Sequence, residues 1–368
     1  MSINSNKDLS ILSKDEQEFL WSLYFDCGYV LGNVFRTVLE LKVFEIISKA
    51  GTDAELSPEE IAGQLPAGRH EGTSAILDRM LHFLASYSIL KCTYKNDNNN
   101  GGGSTTRRLY GLAPLSKFLV PDHEGFSRAP PAEWFNDRAL NLGWSYLKDA
   151  VVEGGTPFNK ANGMNMFDYL AQNDSSNRAF NDAMLATSTL WLSEVLDSYK
   201  GFENCKEIVD VGGGYGSTLQ MIISKYPFIK GVNFDLPQVI RNAPPVPGVR
   251  HVEGDMLESV PQGETMLIMR VLHNWTDEHC LKVLKNCWEG LPESGKVIAI
   301  EMILPESSET EISSRIALTV DLVMFNVHPG GKERTAKEFD ALAKGAGFIS
   351  SNVVCRTSLL SVIEFYKS

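Results

Sequence analysis

A chain of 368 residues, 43% of them hydrophobic and 22% charged, has an ordinary globular composition and is long enough for a large core and two domains. Its net charge of −12 opposes unspecific binding to nucleic acid or anionic membranes and favours small neutral or cationic substrates. Six cysteines without a C-x-x-C pair indicate neither a zinc knuckle nor a disulfide framework. The polar N-terminus lacks a secretory core, and no apolar run approaches the roughly 20 residues that span a bilayer, so a cytoplasmic protein with reduced thiols is expected.

From Glu16 to Ala50 the apolar residues recur at helical spacing, with Val30, Val34, Val38, Leu41 and Phe44 on one stripe. Such a stripe packs within its own domain or against a partner chain. Ser57-Pro58-Glu59-Glu60 is a helix start with a capping box, and a short helix runs to about Gln64. A second follows from Thr73 to Ser86, where Ile76, Leu77, Met80, Leu81 and Leu84 share a face. Strand-like runs at Leu90 to Tyr94 and Arg108 to Leu112 flank an Asn/Gly tract at 96–106, so the order spells a winged helix with a polar, mobile wing tip. This places a mainly helical domain at 1–118 and a second domain at 119–368, which begins with a helical segment reaching Tyr199.

From Lys206 onward apolar strands alternate with helices: Glu207 to Val211, Val232 to Asp235, Val249 to Glu253, Thr265 to Leu272 and Lys296 to Met302. The alternation predicts a Rossmann-like α/β fold, a parallel sheet with helices on both faces. Phe348 to Arg356 and Leu359 to Phe365 are consecutive strands, expected as a hairpin closing the sheet edge.

The first of these strands enters Asp210-Val211-Gly212-Gly213-Gly214-Tyr215-Gly216. Gly212, Gly214 and Gly216 allow a tight turn and a close ligand approach, but Ser217 stands where a dinucleotide fingerprint has its last glycine. The pattern suits one nucleoside with little or no phosphate, and S-adenosylmethionine is that ligand. Asp235, 19 residues after Gly216, ends the next strand, where its carboxylate can accept from ribose hydroxyls. Asp255 and Met256 end the third, placed to pair with an adenine amino group and cover its face.

His273 follows the fourth strand and precedes a helix begun at Thr276, a position suited to a general base. Glu301 ends the next strand after four apolar residues, and Glu333 lies just before a helix capped by Thr335. Both carboxylates can be aimed at one imidazole, fixing its tautomer and supporting the charge it gains. A phenol near pKa 10 lies about 3.5 units above a histidine near 6.5, roughly 5 kcal/mol for full ionisation, which concerted proton removal largely avoids. Metal-ligand spacings such as H-x-x-x-H are not found, so no metal is expected.

Val209 to Gly214, Asn233-Phe234-Asp235-Leu236-Pro237, Gly254-Asp255-Met256, His273-Asn274-Trp275 and Pro329 to Thr335 occur in the order seen in the plant S-adenosylmethionine-dependent O-methyltransferases of the caffeic acid type, and from about Gly28 onward the chain resembles that family. The resemblance implies a class I methyltransferase sheet with an N-terminal winged-helix dimerisation domain, hence a homodimer, in which the early apolar stripe gains a partner. It implies that Gly212, Asp235, Asp255 and Met256 bind the cofactor, that Ser188 contacts its amino-acid end, and that His273 is the base supported by Glu301 and Glu333. Met269 stands where the family places a lysine that contacts the cofactor; either Arg270, next along, takes over or the adenine loses that contact. The substrate pocket corresponds to Phe135, Leu140, Met166, Leu170, Ser176, Phe180, Met184, Val320, Val323, Met324 and His328. Phe180 and Met184 keep the pattern of the caffeic-acid enzymes, whereas Met166, Leu170, Ser176 and His328 depart from it. The expected acceptor is a small phenol: a phenylpropanoid, a flavonoid or a benzylisoquinoline alkaloid.

Two rivals share parts of this pattern. Ser217 argues against an NAD(P)-dependent oxidoreductase, and the negative charge with Glu59 and Glu60 at a helix start argues against a DNA-binding regulator.

Overall fold

The computed structural model describes residues 12–66, 70–98, 104–123 and 125–368, and the chain forms two compact units, Met1–Asn136 and Asp137–Ser368. In the first unit the expected continuous stripe is broken into helices Lys14–Asp26, Tyr29–Glu40 and Val43–Lys49. The second break has a clear cause: Lys42 adopts a left-handed conformation (φ 57°), and its ammonium pairs with Glu133 at 2.5 Å. Val38 and Phe44 are buried, Val30, Val34 and Leu41 half-buried. The first helix buries nothing; Phe19, Trp21 and Phe25 on it are 62%, 57% and 73% exposed.

Strand β1 (Glu55–Leu56) precedes helix Pro58–Ala62, where the capping box forms as expected, Glu60 N donating to Ser57 Oγ and Ser57 N to the Glu60 carboxylate. Helix Thr73–Ser86 buries Leu77, Leu81 and Leu84. Strands β2 (Leu90–Asn98) and β3 (Ser104–Leu112) form a longer hairpin than the sequence indicates, with β1 on the outer side of β3. The central residues of the expected wing tip, 99–103, lie outside the described residues.

The second unit is built on a seven-stranded sheet of β4 (Glu207–Val211), β5 (Lys230–Asp235), β6 (Val249–Glu253), β7 (Thr265–Met269), β8 (Lys296–Glu301), β11 (Ser350–Arg356) and β12 (Ser361–Tyr366), in the order β11-β12-β8-β7-β4-β5-β6. β4 to β8 are parallel, and the terminal hairpin pairs antiparallel on β8, closing one edge. Two further short strands, β9 (Ile303–Leu304) and β10 (Arg334–Thr335), pair in parallel beside it. Alternation along each strand feeds two cores. Val209, Val211, Met266, Ile268, Val297 and Ala299 pack on one face with helices Asp277–Gly290 and Ala336–Ala346. Ile208, Leu267, Met269, Ile298 and Ile300 pack on the other with helices Asp174–Ser198 and Ser217–Lys225.

β7 ends at Met269, three residues earlier than the apolar run suggests, because Arg270 turns left-handed (φ 56°) and Leu272–Asn274 form a 3-10 turn. No helix among the described residues is long and apolar enough to cross a membrane.

Candidate active site

The carboxyl edge of the parallel strands gathers the chemistry. Register places Asp235 beside Glu253 and Met269 beside Ile300, so the residues following β4, β5, β6, β7 and β8 open on one side of the sheet. Gly212, Gly214 and Gly216 all need positive φ (77°, 59° and 87°), which explains their alternate spacing. A Cβ on Gly212 would meet Val271 Cγ2 at 2.9 Å, whereas one on Gly214 would meet nothing within 4 Å, so the turn is packed against the His273 loop at one glycine and open at the next.

Asp235 supports this turn while facing the edge, its Oδ2 accepting from Gly214 N at 2.8 Å and Oδ1 from Leu236 N at 2.7 Å. Asp255 Oδ1 accepts from Leu257 N (2.8 Å), and the Met256 carbonyl accepts from Asn286 (2.8 Å), fixing the end of the third strand. Met269 is buried in the core with its sulfur 4.0 Å from Thr218 Oγ1, and Ser188 lies half-buried on helix Asp174–Ser198. Beneath the turn, Asp210 and Asn233 are 1% and 0% exposed, and Asp210 Oδ2 and Asn233 Oδ1 have no hydrogen-bond partner. An open glycine cradle above orphaned buried oxygens fits a ligand that is cationic or rich in donors.

Burial, reinforced by the charge of Asp235, pushes the Asp210 carboxyl up to about 7. An unfolded chain ionises an aspartate near 4, so this group's contribution to stability is greatest below about pH 4 and falls as pH rises through about 7. The full loss is on the order of 4 kcal/mol. Thermal melts of the cofactor-free protein between pH 5 and pH 8 should therefore show a decline that is smaller in Asp210→Asn; parallel curves for the two proteins would contradict this linkage.

His273 sits in the 3-10 turn and is 8% exposed. Its loop is clamped by the segment carrying Glu333: Lys332 N donates to the His273 carbonyl (2.9 Å), and the wholly buried Arg334 donates to the carbonyls of Leu272 (2.9 Å) and Trp275 (2.8 Å). Parallel pairing of β9 with β10 brings the segments after Glu301 and Glu333 side by side. Glu333 Oε1 lies 3.0 Å from His273 Nδ1. Burial alone would raise the Glu333 carboxyl, but Arg270 and His273 outweigh it and hold it at about 2. An ionised carboxylate only accepts, so Nδ1–H donates to it and Nε2 carries the lone pair.

Glu301 has a different set of contacts. Its Oε1 accepts from the amides of Val271 (3.0 Å) and Leu272 (2.9 Å), and its Oε2 faces Arg270 Nη1 at 3.3 Å. Arg270 forks onto Glu333, Nη1 to Oε2 at 3.1 Å and Nη2 to Oε1 at 2.8 Å, so its side chain is directed at the two acids. His273, Glu301 and Glu333 bring ligand-type atoms within 4.8 Å of one another, the reach of a metal site. The cation already among them is the guanidinium, and a metal ion would have to displace it.

Of the expected pocket residues, Leu140, Met166, Met324 and His328 are buried, while Phe180, Met184 and Val320 are half-buried. Asn326 Nδ2 donates to the Leu140 carbonyl (3.2 Å), tying helix Arg138–Trp144 to helix Ile312–Val327. Phe167, absent from the sequence expectation, joins the set: its ring lies 5.5 Å from His328 and 6.4 Å from Phe180. Burial holds the His328 imidazole down to about 4, so it is neutral at pH 7. Arg270 was legible as a charge between Met269 and Val271, but its partners lie 31 and 63 residues away.

The seven-stranded sheet with its terminal antiparallel hairpin and glycine turn has the Rossmann-like fold of class I methyltransferases. Residues 144–349 match the family described as O-methyltransferase domain, and residues 24–122 the O-methyltransferase dimerisation domain. The chain is 46% identical over 354 residues to caffeic acid 3-O-methyltransferase of Eucalyptus gunnii, covering 96% of this chain and 95% of that protein. It is 47% identical over 366 residues to the caffeic acid 3-O-methyltransferase of Catharanthus roseus, covering 100% and 99%. Among solved structures, human N-acetylserotonin methyltransferase in complex with SAM superposes with a TM-score of 0.80 at 21% identity, covering 97% of this chain and 100% of that one. The chain belongs to this family of S-adenosylmethionine-dependent O-methyltransferases.

Proposed function

We propose that this enzyme methylates a phenolic hydroxyl of a small plant aromatic metabolite, a phenylpropanoid, flavonoid or benzylisoquinoline alkaloid, with His273 as general base. The observation that carries this reading is the 3.0 Å contact between His273 Nδ1 and an ionised Glu333, which leaves Nε2 as the proton acceptor. S-adenosylmethionine, when bound, supplies an electrophilic methyl group on a sulfonium sulfur. Gly212, Gly214, Gly216, Asp235, Asp255, Met256 and Ser188 would hold it, with Met269 packed behind. His273 Nε2 would take the hydroxyl proton as the phenolic oxygen accepts the methyl group and S-adenosylhomocysteine is left, and the imidazolium would later return that proton to water.

Leu140, Met166, Phe180, Met184, Val320, Met324 and His328 would line the acceptor pocket, where a neutral His328 beside the Phe167 ring suits a flat aromatic ring. The relatives named as caffeic acid 3-O-methyltransferases support a phenolic acceptor, and the net charge of −12 tolerates a cationic one. The matched dimerisation domain, with exposed Phe25 inside it and exposed Phe19 and Trp21 just before it on the same helix, supports a homodimer, which sedimentation would read as two chains per particle and a single chain would contradict.

Incubation with methyl-labelled cofactor and a panel of the three acceptor classes should place label on oxygen in at least one class. Cofactor binding without transfer to any of the panel would overturn the acceptor assignment.

A further inference from the structure

We propose that Arg270 is a positioning residue for the proton-accepting pair: its buried guanidinium keeps Glu333 ionised and aimed at His273 Nδ1, and so keeps the imidazole in the tautomer with an unprotonated Nε2. The proposal rests on the reading of His273 as the base.

Glu301 and Glu333 are 0% and 1% exposed and stand within reach of one imidazole. Two buried carboxylates so placed repel, and without a cation between them one would take up a proton. Glu301 already accepts two backbone N–H bonds at Oε1. Protonation of Glu333 would turn its acceptor oxygen into a donor. His273 Nδ1 would then have to accept, its proton would move to Nε2, and the lone pair facing the substrate would be lost.

Arg270 meets this need by geometry as well as charge. Its fork spans both Glu333 oxygens at 2.8 and 3.1 Å while the same Nη1 reaches Glu301 at 3.3 Å, a planar match that a lysine cannot copy. The side chain is 12% exposed, and the Trp191 ring covers it with its centroid 5.6 Å from Cζ. Its backbone is left-handed (φ 56°), unusual for a residue with a Cβ, yet Arg270 N still donates to Ile300 O at 3.0 Å. The turn that ends β7 thus sends the guanidinium to the two acids while His273 follows three residues on.

The test measures kcat/KM against pH for wild type, Arg270→Met and Arg270→Lys, with S-adenosylhomocysteine affinity by calorimetry and the His273 ring tautomer by 15N NMR, the signals assigned by their absence from His273→Gln. Arg270→Met should lose about 100-fold or more in kcat near pH 7, its acid limb should move up by about one pH unit or more, and cofactor-product affinity should stay within about threefold. The ring should read Nδ1–H in wild type and Nε2–H in Arg270→Met, with Arg270→Lys between them on every measure. An acid limb and tautomer unmoved in both variants would overturn the proposal, and so would affinity falling in parallel with kcat, which would make Arg270 a cofactor ligand. If Arg270→Met does not fold, the lysine variant carries the same test. If even wild type methylates no phenol, the functional reading fails, and the tautomer measurement still decides the role of Arg270.

Discussion

His273→Ala should lose about 10²- to 10⁴-fold in turnover while S-adenosylhomocysteine affinity, measured by calorimetry, stays within about threefold of wild type. The separation follows from the layout of the edge. The ring is held by Glu333 and by a loop that Lys332 and Arg334 clamp, whereas the glycine turn is supported by Asp235 through Gly214 N and by the Phe234 carbonyl through Gly212 N. These two sets of bonds share no side chain, so truncating the imidazole leaves the cradle intact. Val271 lies where a Cβ on Gly212 would meet it, but it is unaltered by the substitution. Loss of cofactor affinity equal to the loss of turnover would show that His273 serves binding rather than proton removal.

Gly213→Ala should damage the proposed cofactor cradle most. A Cβ there would lie 2.2 Å from Asn233 Oδ1 and 2.6 Å from Asp210 Oδ2, and both side chains are buried and unable to retreat. Overpacking of this kind costs about 1 to 3 kcal/mol, and relief by shifting the turn would move the Gly214 amide off Asp235. The expectation is a lowered melting temperature together with a loss of S-adenosylhomocysteine affinity of about 30-fold or more. Gly154→Ala is the control: φ is 79°, but nothing lies within 4 Å of the new Cβ, so backbone strain acts alone, far in sequence from the cradle. Affinity for Gly213→Ala within about threefold of wild type would contradict the packing argument.

Much of the site was legible because each of its parts is a local pattern. Alternate glycines after β4, acids ending β5 and β8, and capping boxes at Ser57 and Thr335 are written within a few residues, and short-range physics acts on them directly. The terminal hairpin was legible for the same reason, as two strands with no helix between them. What the pattern could not carry were contacts set by tertiary packing. The stripe from Glu16 to Ala50 is continuous as a period, yet the Lys42 turn interrupts it, and the ion pair that accompanies this turn joins residues 91 apart. The apolar run Thr265 to Leu272 looks like one strand because nothing in it marks the left-handed turn at Arg270. The division of labour between the two acids also depended on distance in sequence: Glu333 meets the imidazole, while Glu301 holds the loop amides and Arg270. Phe167 likewise enters the aromatic wall only because its helix packs beside His328 and Phe180.

The most direct measurement is the ratio of wild-type to His273→Ala turnover across a series of acceptors of falling phenol pKa. An acceptor near pKa 10 needs its proton removed during transfer, whereas one below about 7 reaches the site already ionised. If His273 removes that proton, the ratio should shrink from about 10² or more toward unity along the series. A ratio that stays constant from the weakest to the strongest acid would contradict the account.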